Sequence, residues 1–157
     1  MHNKLLLPHR FKTAGWLLLS VAVLFQILVW TRGGELSWLN IKVFAILDQD
    51  MGQSKYFSFI QNNVTEEIIG ILFIIGGLFA GFSREKTEDE FIANLRLSSM
   101  LWAVLVNYLL LIVALIFFYD LSFFDVMVLN MFTILIIFLG RFHYILYRTS
   151  KANPHEK

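Results

Sequence analysis

The side chains in this chain that could do chemistry are few, and their spacing does not suit catalysis. None of the four histidines, His2, His9, His143 and His155, has metal-motif spacing with a carboxylate partner. The sequence holds no Cys, which excludes a disulfide, a thiolate nucleophile and a Cys-ligated metal. Gly-x-Ser-x-Gly, P-loop and glycine-rich nucleotide signatures are absent. No carboxylate interrupts the middle of an apolar segment, where a proton-coupled exporter needs a buried ionisable group. No inward-facing His pair offers axial ligands to a haem. The expectation is a non-enzymatic protein with no catalytic residue, cofactor or metal.

Three amides remain. Gln26, Asn107 and Asn130 each interrupt a long apolar run. Gln26 lies four residues from the outer end of the first helix and Asn130 five beyond Asp125, a shared depth that allows an interhelical hydrogen bond. Asn107 then needs a backbone carbonyl, a hydroxyl or a second copy of itself. Structural glue is favoured over a substrate site for all three.

These amides sit in a chain of 157 residues that is 57% hydrophobic and 16% charged, with 16 Phe. A soluble domain carries about a quarter charged residues. The composition excludes disorder and a basic nucleic-acid binder, and it points to the lipid bilayer. Four charge-free runs carry that signal: Thr13 to Trp30, Ile68 to Ser83, Leu97 to Tyr119 and Val126 to Gly140. A helix crossing the hydrocarbon core needs about 20 mostly apolar residues. The second and fourth runs are short, but Glu66, Glu67 and a snorkelling Arg141 extend them. The runs lack the alternation of barrel strands, so helices must satisfy the backbone in lipid.

The expected fold is an all-α polytopic membrane protein. It is a bundle of four transmembrane helices at about 12–31, 64–83, 88–119 and 122–147, with a small strand-like outer loop at 32–63. It forms one membrane domain over 1–157. The first run follows Lys4, Arg10 and Lys12 like a signal peptide, but bulky Val29-Trp30-Thr31 offers no cleavage site, so it reads as a retained span. Lys and Arg set the orientation. Ten lie on the side of the termini and the 84–96 connection, against Arg32, Lys42 and Lys55 on the other. Both termini are therefore expected in the cytoplasm, with the protein in the cytoplasmic (inner) membrane.

In the outer loop, Leu39 to Val43 alternates with period two and Tyr56 to Ile60 is a second β-prone run. A hairpin turning at Asp48 to Gly52 is preferred over an interfacial helix through Leu36 to Leu47. Asp48, Asp50 and Gly52 resemble the start of a calcium loop, but the closing Glu position holds Phe59. Asn63-Val64-Thr65 matches a glycosylation sequon, although an N-cap with a reciprocal Glu66 explains those residues more simply.

The 84–97 connection is the richest stretch. Thr87 and Glu90 have capping-box spacing, and Glu88, Asp89 and Glu90 place negative charge where a helix dipole favours it. The third helix should thus begin near Glu88 and project into the cytoplasm. Phe91, Ile92 and Leu95 form an apolar stripe on that projection. It packs either on the chain's own C-terminal extension, Tyr144 to Tyr147, or on a cytoplasmic protein partner. Glu88, Asp89, Glu90, Phe91, Ile92, Leu95 and Arg96 form the candidate partner surface, the acids expected to face Arg141, Arg148 and Lys151. In the second helix, Gly70, Gly77 and Gly81 share one face, and Gly76 and Ala80 form a neighbouring small pair. Both invite close helix packing, internal or in a homo-oligomer.

Trp38 to Phe44, Glu85 to Phe91, Leu95-Arg96-Leu97 and Trp102-Ala103-x-x-x-Asn107-Tyr108 together resemble a family of uncharacterised small bacterial integral membrane proteins with four predicted transmembrane helices. The resemblance covers most of the chain and implies this topology without an activity or ligand. Similar acidic loops occur in small membrane proteins that accompany transcription regulators. The expected role is accordingly regulatory or scaffolding, through the 84–97 segment. The alternative is a small transporter or channel component acting as an oligomer.

Overall fold

The computed structural model describes residues 6–34, 36–50 and 53–152. Four helices dominate it: α1 (Arg10–Thr31), α2 (Thr65–Phe82), α3 (Glu90–Phe117) and α4 (Asp120–Ala152). Between α1 and α2 lies an antiparallel pair of strands, β1 (Asn40–Asp50) and β2 (Gln53–Asn63). The protein is mostly helical, and all four helices are long and apolar enough to cross a membrane. Large apolar side chains point outward along them, with Leu17, Leu24, Leu101 and Leu129 all more than 60% exposed. Such a surface would drive association in water and suits contact with lipid tails.

The chain divides into two compact units, one of Met1–Leu19 with Phe73–Lys157 and one of Ser20–Leu72. In the smaller unit the register runs from Asn40 opposite Asn63 to Asp50 opposite Gln53, so the hairpin, not the interfacial helix, occupies the outer loop. Met51 and Gly52, where the turn and the calcium-loop comparison fall, lie outside the described residues, as do Lys4, Lys157, His2 and His155. Phe57 has φ 52°, a left-handed backbone unusual for an aromatic residue, and the ladder is interrupted there. Alternation puts Phe44 and Phe59 on one exposed face, their rings 5.4 Å apart edge to face.

Asn63 closes the hairpin onto α2. Its Oδ1 accepts from the Thr65 amide at 3.0 Å and also from the Thr65 hydroxyl, while its Nδ2 donates to the Leu36 carbonyl at 2.9 Å. The expected N-cap at Asn63 is not formed: α2 starts at Thr65, the Val64 carbonyl accepts from the Ile68 amide, and Asn63 stands one residue before the cap position. Glu67, not Glu66, reaches back, to Asn62 at 3.2 Å.

In the larger unit, α1 and α2 run antiparallel and meet through glycine. A Cβ on Gly76 would stand 2.9 Å from the Leu19 amide and 3.0 Å from the Gly15 carbonyl oxygen; one on Gly15 would collide with the Ala80 backbone. The closest approach therefore uses the Gly76/Ala80 pair against Gly15. Gly77 and Gly81 face α4 instead, against Leu135, Phe138 and Leu139. Gly70 lies in the smaller unit, half-buried. The core gathers Leu19, Ala80, Ile92, Leu95, Ala103, Phe138, Leu139 and Phe142.

Candidate functional site

The polar side chains of the larger unit collect at one end, where α1 begins, α2 ends, α3 begins and α4 finishes. The N-terminal segment reaches the α2–α3 loop by backbone bonds. Leu7 donates to the Phe82 carbonyl at 3.0 Å, and Arg84 donates to the Leu7 carbonyl at 2.9 Å. These two bonds make a single parallel bridge between Leu7 and Ser83. His9 Nδ1, carrying its proton, donates to the Arg84 carbonyl at 2.8 Å. One turn on, Lys12 Nζ meets both Glu85 carboxylate oxygens, at 2.5 and 2.7 Å. This ion pair is mostly covered, its side chains 17% and 11% exposed.

A second ion pair fastens the far end of the loop. Arg96 donates to Glu88 through Nη1 at 2.6 Å and Nη2 at 3.2 Å, and Nη2 also donates to the Ser83 carbonyl at 3.2 Å. The guanidinium lies 5.2 Å from the centre of the Phe142 ring on α4. Burial pushes the Glu88 carboxyl up. The Arg96 hydrogen bond, the Glu85 amide at 2.9 Å and the charges of Arg96 and Arg84 outweigh it and hold the carboxyl below 4.5. Planar two-point pairing suits Arg specifically, and Lys could not repeat it.

Asp89 begins α3. Its Oδ1 accepts from the Ile92 amide at 2.8 Å, so the helix starts at Glu90 and the cap is Asp89, not Thr87. The helical register then turns Ile92 and Leu95 inward, 7% and 8% exposed, against Phe138 and Phe142 with Leu146 beside them. This corrects the partner surface: Ile92, Leu95 and Arg96 are buried within the chain. Asp89, Glu90 and Phe91 stay exposed. Glu88 pairs with Arg96 rather than with Arg141, Arg148 or Lys151: it lies just before the Asp89 cap, and Arg96 reaches back to it from within α3.

Between these fastenings and α4 lies a groove of about 580 Å³, with His9, Lys12, Trp16, Glu85, His143 and Tyr147 among its walls. His143 packs edge to face on Trp16 and on Phe142, both at 5.1 Å between ring centres. Its Nδ1 bonds the Leu139 carbonyl at 3.0 Å, and its Nε2 is buried without a hydrogen-bond partner among the described residues. The groove combines an aromatic wall with an ion-paired rim. Among the described residues no three His, Asp or Glu side chains converge as a metal site would require.

The intramembrane amides are arranged differently from the expectation. Asn107 and Asn130 bond to each other reciprocally, at 3.2 and 3.3 Å. Counting from Asp125 makes Asn130 too shallow, because α4 begins at Asp120. Asn107 lies ten residues before the end of α3 at Phe117, and Asn130 ten residues after Asp120. An antiparallel hairpin makes them level. Gln26 belongs to the smaller unit.

His9, Lys12, Trp16, Glu85 and His143 were not singled out from sequence as site residues. Lys12 and Glu85 are 73 positions apart, and only the tertiary fold brings them together. No family model matches this chain, no curated protein matches it, and no solved structure matches its fold.

Proposed function

We propose that this chain is a non-enzymatic integral protein of the cytoplasmic membrane. It spans the bilayer four times with both termini inside, and it acts as a regulator or scaffold through the 84–97 segment. One observation carries the reading: the loop is fastened at Leu7, Lys12 and Arg96, yet it leaves Asp89, Glu90 and Phe91 exposed. A solvent-facing acidic turn with an outward phenyl ring, held in one shape, loses little conformational entropy when a protein docks on it. Its negative charge would steer a basic partner, and Phe91 would anchor the contact.

The basic residues at this end support the orientation, with Arg10, Lys12, Arg84, Lys86, Arg141, Arg148 and Lys151 all near the same helix ends. The rival reading, a small transporter or channel component working as an oligomer, has less support. Its polar path would begin with Asn107 and Asn130, and these satisfy each other.

The test is Glu90→Gln combined with Phe91→Ala, neither of which touches an ion pair or the cap. The variant should fold as the wild type and lose the protein that cross-links to the wild-type chain in native membranes. Undiminished cross-linking would remove the docking surface from the account.

A further inference from the structure

Among the described residues Arg141 has no carboxylate partner. Its guanidinium lies 4.7 Å from the centre of the Trp102 ring, and its Nε is buried with no hydrogen-bond partner among the described residues. The ion pairs among the described residues join Lys12 to Glu85 and Arg96 to Glu88, so both of those carboxylates are committed elsewhere. After Asp125, α4 carries no carboxylate, and between Phe91 and Phe117 α3 carries none either. Arg141 is also the first charge after the 15 charge-free residues Val126 to Gly140, which places it at the edge of the apolar span. A cation partly withdrawn from water at that level needs a compensating anion. In a bilayer, the anion at that depth is the lipid phosphate.

From these observations we infer that Arg141 and Trp102 form a binding site for an anionic phospholipid of the cytoplasmic leaflet. The phosphate oxygens accept from the guanidinium of Arg141, which is held over the Trp102 ring. Below Trp102, Leu105 and Leu109 follow at helical spacing and are exposed, giving an acyl chain a continuous track into the membrane. Above Arg141, Arg148 lies two turns further on nearly the same stripe of α4 and is exposed, which favours a headgroup without its own cation. This site is separate from the exposed acidic turn, and either can fail without the other.

The test uses the full-length protein, delipidated in mild detergent and offered equal amounts of phosphatidylglycerol and phosphatidylcholine of matched chains. Bound lipid is read by native mass spectrometry. The wild type should retain phosphatidylglycerol preferentially. Arg141→Gln should lower that retention about tenfold, the loss expected for one charge-assisted two-point contact. Arg10→Gln, an exposed charge at the same end, should leave it unchanged. Arg141→Lys keeps the charge but not the stacked fork, and should retain less than the wild type; it also serves if the Gln variant does not fold. Equal retention by wild type and Arg141→Lys together with Arg141→Gln would overturn the site. So would an Arg10→Gln loss as large as that of Arg141→Gln, because bulk charge would then account for the binding.

Discussion

Asn107 on α3 and Asn130 on α4 donate to and accept from each other, and the exchange satisfies one donor and one acceptor on each amide. In an apolar surrounding such a pair fixes the register of two helices, since sliding either by a turn would strand both amides. Asn107→Leu and Asn130→Leu, made singly, each leave one amide alone and should each destabilise the α3–α4 hairpin by about 0.6 kcal/mol, at most about 2. The Asn107→Leu/Asn130→Leu double variant should recover much of that loss, because neither polar group then remains. Thermal unfolding of the two single variants and the double variant in detergent closes the cycle. Strict additivity would mean the amides do not interact.

The α1–α2 contact makes a sharper demand. A side chain at Gly76 would meet the Leu19 amide and the Gly15 carbonyl, backbone atoms that cannot rotate away. Gly76→Val should therefore cost about 1–3 kcal/mol, the usual penalty for overpacking. Gly77→Ala meets the flexible Leu135 side chain at 3.3 Å and should cost much less, and Gly140→Ala meets open space. Melting temperatures should rank Gly140→Ala, Gly77→Ala and Gly76→Val in falling order. Equal melting of the first and last would place the helices further apart than described.

Much of this was legible from sequence, for identifiable reasons. Period-two alternation at Leu39 to Val43 marked β1, and the charge-free runs marked four helices. The Gly76/Ala80 pair was visible, but its partner Gly15 was hidden inside a run read only for hydrophobicity. The capping-box spacing points to Thr87, whereas Asp89 caps α3 by accepting from the Ile92 amide. The choice of Asp89 set the register and turned Ile92 and Leu95 toward Phe142. The Lys12–Glu85 pair and the Arg141–Trp102 stack left no local signature, since their partners are far apart in the chain.

The Glu88–Arg96 latch should make the loop sensitive to acid. The Glu88 carboxyl is held below its ordinary 4.5, so the latch contributes fully above that value and is lost as pH falls through the lowered one. Glu88→Gln removes the charge at every pH. The wild type should therefore be more stable than Glu88→Gln at neutral pH, and the difference should shrink below pH 4.5. Unfolding curves at several pH values read it directly. A constant difference down to strong acid would show that the ion pair contributes nothing.

The N-terminal segment, the 82–89 loop and the end of α4 share one end of the larger unit, and the proposed orientation makes that end cytoplasmic. The chain has no Cys, so single cysteines report without background. Three positions suffice: Asn62 on the hairpin, Lys86 in the loop and Lys151 at the end of α4, all exposed. In intact cells an impermeant thiol reagent should label the cysteine at Asn62 and spare those at Lys86 and Lys151 until the membrane is opened. Labelling at Lys86 or Lys151 in intact cells, with Asn62 protected, would contradict the account.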